Sequence, residues 1–246
     1  MTRDPATQDD LLRETPQDVG RKKKRKSLFR EYAEAILMAL VLALLLRAFV
    51  VQAFKIPSGS MKETLQVGDH ILVNKFLYRT WSKEDLAEVF EVIPFLGDAI
   101  KSFTVRIPFD YHFRFKDVRR GDVVVFKFPR DESRDFIKRV IGLSGEMVEV
   151  RGRTVFIDGE PLDEPYAQYD EVGPQGSFAT RERYGPERVP EGHLFMMGDN
   201  RDNSLDSRAW GFLNMDSVKG EAFIVYWSWN GGDTSVRWSR LGHLLF

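Results

Sequence analysis

One apolar run stands apart from the rest of the chain. Ala35 to Phe54 holds twenty residues broken only by Arg47 and Gln52. As a helix it would be about 30 Å long, the thickness of a bilayer's hydrocarbon core. Both polar residues lie toward its C-terminal end, where Arg47 can reach the interface. From Gly68 onward the pattern changes to short apolar or alternating blocks: Asp69 to Val73, Gly121 to Pro129, Phe136 to Ile141, Met147 to Val150, Thr154 to Ile157 and Phe223 to Trp229. Arg151-Gly152-Arg153 and Asp158-Gly159 separate neighbouring blocks as hairpin turns do. Short strands with turn signals predict a mostly-β, antiparallel domain rather than βαβ units. Ser82 to Phe90 departs from this pattern and predicts a helix with Ser82 as N-cap. The stretch from Tyr166 to Pro190, rich in Gly, Pro, Arg and Glu, predicts a long surface excursion.

Charge orients the apolar run. The 246 residues carry a net charge of −1, so no global field points to nucleic acid. Arg21 to Lys26 and Arg30 nevertheless form a basic run just ahead of Ala35. Beside a hydrophobic span, such a run fixes topology, with the N-terminus in the cytoplasm and everything after Phe54 outside. A cleavable signal peptide is the competing reading, with Ala35 to Leu46 as h-region and Val51-Gln52-Ala53 as cleavage site. Apolar character continues beyond Arg47 and a long polar tail precedes the basic run, which favours an uncleaved anchor. The expected organisation is a disordered basic cytoplasmic tail over 1–30, a transmembrane helix over 33–54 and an extracytoplasmic β-domain over 55–246. Within the last, 77–118 reads as an insertion and 148–192 as a β-subdomain.

Candidate chemistry follows directly on the anchor. Ser58 and Ser60 sit in Lys55-Ile56-Pro57-Ser58-Gly59-Ser60-Met61, at most roughly 20 Å from Phe54. A serine hydroxyl needs a nearby base before it becomes a nucleophile. There is no cysteine, and the four histidines (His70, His112, His193, His243) lack zinc-ligand spacing. No cofactor or metal is expected. The base could be a histidine brought in by the fold, or a lysine of lowered pKa. Lys138 suits the second role. On a strand, Phe136, Lys138 and Val140 share one face while Ile137, Arg139 and Ile141 share the other, so the amine has apolar neighbours that disfavour its charged form. The alternative is a lysine whose stem packs on the sheet while its head reaches water. A third block, Gly198 to Gly211, is dense in Asp, Asn and Ser but lacks EF-hand spacing. Its arginines suggest ion pairing within the loop, and a hydroxyl such as that of Ser204 could orient a lysine amine.

Together, these blocks resemble the bacterial type I signal peptidases, the Ser/Lys peptidases that remove signal peptides from exported proteins. The resemblance rests on Ile56-Pro57-Ser58-Gly59-Ser60-Met61, Gly68 to Lys75, Arg120 to Val124 with Phe136 to Gly142, and Gly198 to Gly211, in that order. It implies a signal-peptidase fold, an antiparallel pseudo-barrel behind one transmembrane helix. It also implies Ser60 as nucleophile and Lys138 as general base, with Ser58 and the Ser60 N–H as oxyanion hole. Ser204 would orient Lys138, and Asp199, Asp206 and Arg208 would support the site. Ile56, Ile137 and Phe136 would line shallow pockets for small residues at the −3 and −1 positions. The implied partners are exported preproteins and the lipid bilayer, with no nucleic acid. The implied location is the cytoplasmic (inner) membrane, with the catalytic domain on the outer, periplasmic side. One departure shows: Glu63 stands where the family often has proline. A Ser/Lys self-cleaving peptidase and a membrane-tethered, non-catalytic binding domain are the rival readings.

Overall fold

The structure, a computed structural model, describes residues 28–78, 116–169 and 182–245. The polar tail over 1–27, the expected Ser82 to Phe90 helix and most of the 77–118 insertion lie outside these residues.

The apolar run divides into two elements. Helix α1 covers Leu28–Phe49, and Val51–Lys55 forms strand β1. The helix therefore does not continue to Phe54, as the apolar run suggested. Val51 and Phe54 suit a strand as readily as a helix, and pairing with β2 (Asp69–Asn74) decides between them. Among the described residues no helix is long and apolar enough to cross a membrane. Residues up to Leu42 form one compact unit and those from Ala43 a second, which holds all the strands.

In that second unit β1 and β2 are joined, through β11 (Val218–Asn230), to β3 (Val123–Phe128) and β4 (Asp131–Gly142). The order continues to β9 (His193–Met197) and β10 (Leu213–Asn214), while β12 (Ser235–Val236) and β13 (His243–Leu244) pair with β11. All the paired strands are antiparallel. Strand β3 is apolar without alternation because both its faces are buried. Val123 and Val125 enter a cluster with Ile56, Met61, Leu65, Ile71 and Ile137. Val124, Phe126 and Phe128 enter another with Val140, Trp210 and Leu213.

A smaller four-stranded sheet comprises β5 (Met147–Arg151), β6 (Thr154–Ile157), β7 (Glu160–Pro161) and β8 (Arg183–Arg188). Its core joins Val148, Val150, Val155 and Ile157 to Ile141, Phe195 and Met197 of the main sheet. The turn residues behave as their chemistry requires. Asp158 and Gly159 both have positive φ, 51° and 89°, as a two-residue hairpin loop demands. Part of the Tyr166 to Pro190 excursion is instead strand β8, whose charged residues stand exposed while its backbone pairs with β5. Strands β4 and β11 also run longer than their apolar blocks, because ladder pairing with β3 and β2 carries polar residues along.

Candidate active site

The turn that carries Ser60 hangs from the β1–β2 ladder. The Ile56 N–H donates to the Asp69 carbonyl at 2.8 Å, and the Gly68 N–H returns a bond to the Ile56 carbonyl at 3.0 Å. Gly68 has a φ of 94°, and a side chain there would run into the Trp229 carbonyl, so only glycine closes this loop. Between these points the chain bulges outward, held by the fully buried Met61 and Leu65. The Asn200 N–H donates to the Ser60 carbonyl at 3.1 Å, and its Nδ2 donates to the Gly59 carbonyl at 3.2 Å.

Lys138 meets this turn from β4. It is only 3% exposed, and its Nζ lies 2.7 Å from Ser60 Oγ while donating to the Ile137 carbonyl at 2.8 Å. The reading in which the amine reaches water is therefore excluded. Burial pushes the ammonium down from 10.5 to about 8, against the pull of the Asp206 and Asp199 carboxylates. A substantial fraction of neutral amine is thus present in mildly alkaline water, and its lone pair faces a serine hydroxyl. None of the described histidines is within hydrogen-bonding reach of Ser60. His70 packs edge-on to Tyr226, His193 bonds the Glu191 carbonyl and His243 is exposed.

The Gly198 to Gly211 loop closes the site from behind. Gly198 has no room for a Cβ, since Ser204 Oγ and the Ser60 carbonyl already fill that space. Ser204 is fully buried, and its hydroxyl is one of the groups that act on the Asp206 carboxylate. Burial tends to raise the Asp206 pKa, but the Arg208 guanidinium, the Ser204 hydroxyl and the Gly198 N–H together hold it below the usual carboxylate range. Arg208 binds Asp206 through Nε and Nη2, at 2.9 and 2.8 Å. Arg201, expected to pair within the loop, instead reaches Glu164 through two bonds of 2.9 and 2.6 Å. The reason is spatial: the Gln168 N–H and carbonyl pair with the loop backbone and bring that segment alongside.

Sequence reasoning passed over two partners here. Arg139, next to the lysine but on the opposite face, clamps Asp199 with bonds of 2.9 and 2.7 Å. Thr64, on the turn that carries Ser60, donates to the same carboxylate at 2.6 Å. Asp199 thereby ties the serine's turn to the lysine's strand. The alternation that places Arg139 opposite Lys138 was a usable signal; nothing local marked Thr64. Of the expected pocket residues, Ile56 and Ile137 are buried in one cluster, while Phe136 is half-buried with Lys138 Nζ 5.4 Å from its ring centre. Ser58 is exposed on the turn. A cleft of about 680 Å³ opens beside Thr64, Arg139 and Tyr166, but neither Ser60 nor Lys138 lines it.

The family described as "Signal peptidase, peptidase S26" matches residues 29–227. The chain belongs to this signal peptidase family. It is 36% identical over 238 residues to "Signal peptidase I" of Pseudomonas fluorescens, covering 85% of this chain and 76% of that protein. It is 35% identical over 224 residues to "Probable signal peptidase I-1" of Synechocystis, covering 88% of this chain and 89% of that one. A solved signal peptidase I from Enterococcus faecalis is 35% identical, with a TM-score of 0.36, covering 43% of this chain and 97% of its own. For a signal peptidase, the departure at Glu63 has a structural correlate: its φ is 74°, a value closed to proline.

Proposed function

We propose that this chain is a membrane-anchored serine endopeptidase that removes signal peptides from exported preproteins, with Ser60 as nucleophile and Lys138 as general base. The observation that carries this reading is the 2.7 Å contact between Ser60 Oγ and a buried amine whose pKa burial lowers to about 8. The neutral amine takes the serine proton as Oγ attacks the scissile carbonyl. Collapse of the tetrahedral adduct then expels the amine of the mature protein, which leaves with that proton. A water, deprotonated by the same Nζ, hydrolyses the acyl-enzyme and releases the signal peptide as a carboxylate. The exposed Ser58 hydroxyl and the Ser60 N–H are the donors for the oxyanion. Ser204, packed against Gly198 with the Ser60 carbonyl, keeps the lysine side of the site in place together with Asp199, Asp206 and Arg208.

Among the described residues, two strand edges are open to an extended substrate. Strand β1 ends the main sheet, and among the described residues β9 pairs with β4 only at Arg139, Val140 and Gly142. A peptide pairing along β4 would lie against Phe136 and Ile137, with Ile56 beneath, where small side chains fit. The anchor belongs to the same reading. α1 exposes Ile36, Leu37, Met38, Leu40 and Leu42, an arrangement that water opposes and lipid accepts. The basic run ahead of it orients the N-terminus to the cytoplasm and the β-domain to the outer side of the inner membrane. The test is cleavage of a preprotein with a small-x-small site by the wild-type chain, Ser60→Ala and Lys138→Met. Both variants should lose detectable turnover, and cleavage surviving in either would remove its assignment.

A further inference from the structure

The hairpin that leads into Lys138 carries an irregularity that the proteolytic reading leaves unused. In the β3–β4 ladder Phe128 pairs with Asp131 and Lys127 with Asp135, so Glu132, Ser133 and Arg134 face no partner residues on β3. All three are exposed, and they stand on the strand whose far edge is open, among the described residues, as far as the active site. Bulges of this kind re-aim side chains beside reactive groups. Arg134 stands where the bulge begins, and its guanidinium carbon lies 5.3 Å from the centre of the Phe136 ring. Lys138 Nζ lies 5.4 Å from the same centre, and Phe128 stacks on that ring at 4.3 Å. One aromatic ring therefore connects the base of the dyad to an exposed cation on the substrate side.

The neighbouring acids do not remove this cation from play. Asp131 contributes an opposing charge, but its carboxylate already accepts from the Ser133 N–H and hydroxyl, at 3.2 and 2.6 Å. Asp135 is paired with Lys219 at 2.8 Å. Glu132 is exposed in the same bulge. An arginine held over an aromatic ring also loses less freedom when it binds a carboxylate than a free one would.

We propose that Arg134 is a specificity-determining residue that selects an acidic side chain at position −5 of the signal peptide. The inference rests on the signal peptidase reading of the dyad. The scissile carbonyl must reach Ser60 Oγ, 2.7 Å from Lys138 Nζ, so a substrate running parallel to β4 brings its −1 residue to Lys138 and its −3 residue to Phe136, two strand residues earlier. β4 pairs regularly down to Asp135, and both chains rise about 3.3 Å per residue, so the −5 residue comes alongside Arg134, the first residue of the bulge. The ion pair is solvent-exposed, which makes it modest and sensitive to salt.

The experiment uses the full chain in detergent and three preproteins identical except for Asp, Asn or Lys at −5. The readout is the ratio of kcat/KM values within each enzyme variant, which does not depend on how much enzyme is active. The wild type should prefer Asp over Asn, and Asn over Lys, by about two- to fivefold at each step, with the ratios shrinking as salt is added. Arg134→Glu should reverse the order, and Arg134→Gln should bring the ratios close to one. An unchanged order in both variants would overturn the proposal, as would a charge-blind wild type that still cleaves. Loss of cleavage in both variants would also overturn it, by making Arg134 a residue of the fold. If the wild type cleaves none of the three, the proteolytic reading itself fails.

Discussion

Lys138 combines two properties that work against each other in a folded protein. Its amine must be buried to be neutral near physiological pH, and burial costs stability whenever the amine is charged. The catalytic consequence is an activity limb that rises with pH through about 8, measured as kcat/KM against pH. A profile flat from pH 5 to 10 would contradict the base assignment. Lys138→Arg should be as inactive as Lys138→Met, because a guanidinium keeps its proton throughout that range. Stability should move the other way. The folded-state pKa lies below that of the unfolded chain, so the folded protein binds the proton less tightly. The destabilisation is therefore full below pH 8 and disappears above about 10.5. Lys138→Met is expected to raise the unfolding free energy by up to about 3 kcal/mol at pH 7, and by much less at pH 10.5. Chemical denaturation at the two pH values measures the difference. Ser58→Ala should lower kcat by about 100- to 1,000-fold with little change in KM, since an oxyanion donor acts in the transition state.

The elements around the dyad make two further demands. Strand β1 pairs with β2 at five positions, from Val51↔Asn74 to Lys55↔His70, and its Phe54 packs on the core that holds Met61 and Leu65. A truncated chain beginning at Lys55 would lack this edge strand, whereas one beginning at Val50 would keep it. Thermal unfolding should show the shorter fragment melting several degrees lower, and equal melting temperatures would mean that β1 contributes little. The nucleophile turn depends on Glu63 in the left-handed region, at φ 74°. Glycine reaches that conformation freely and proline cannot. Glu63→Gly should therefore preserve or slightly raise stability, while Glu63→Pro should destabilise and reduce turnover by moving Ser60 away from Lys138. Retention of full activity by the proline variant would show that the turn can be rebuilt without displacing the serine.

The proposed function requires the molecule as a whole to hold its active site near a membrane surface. Tyr226, Trp227 and Trp229 of β11 and Trp238 beyond it are exposed, Trp238 at 72%, with the Trp227 and Trp238 rings 6.4 Å apart. The Trp229 N–H donates to the Gly68 carbonyl, and Gly68 bonds Ile56, so this group stands at the base of the nucleophile turn. Indole rings are suited to the bilayer interface. Trp227→Ser with Trp238→Ser should weaken liposome binding of a chain beginning at Val50 while barely changing its melting temperature. A fall of several degrees would make these rings part of the core, and unchanged binding would remove them as the lipid contact. Val92 to Leu96, another apolar segment of the sequence, lies outside the described residues.

Local chemistry was enough to read much of this protein from its chain. Asp158-Gly159 turns as its backbone preferences require, β3 is apolar because both faces are covered, and the ordered serine, lysine and Gly198 to Gly211 blocks pointed to one family. These features depend on a residue and its immediate neighbours, so they survive in one dimension. Long-range pairing decided the rest. Val51–Lys55 is a strand because β2 is there to bond it, and polar Arg183–Arg188 is a strand because β5 is. Arg201 pairs with Glu164 and not within its loop, and Thr64 joins Arg139 on Asp199, because the fold brings together groups remote along the chain. The same holds for the lowered pKa of Lys138. Apolar neighbours made burial plausible, but only the surrounding sheet and loop exclude water from the amine and aim it at Ser60.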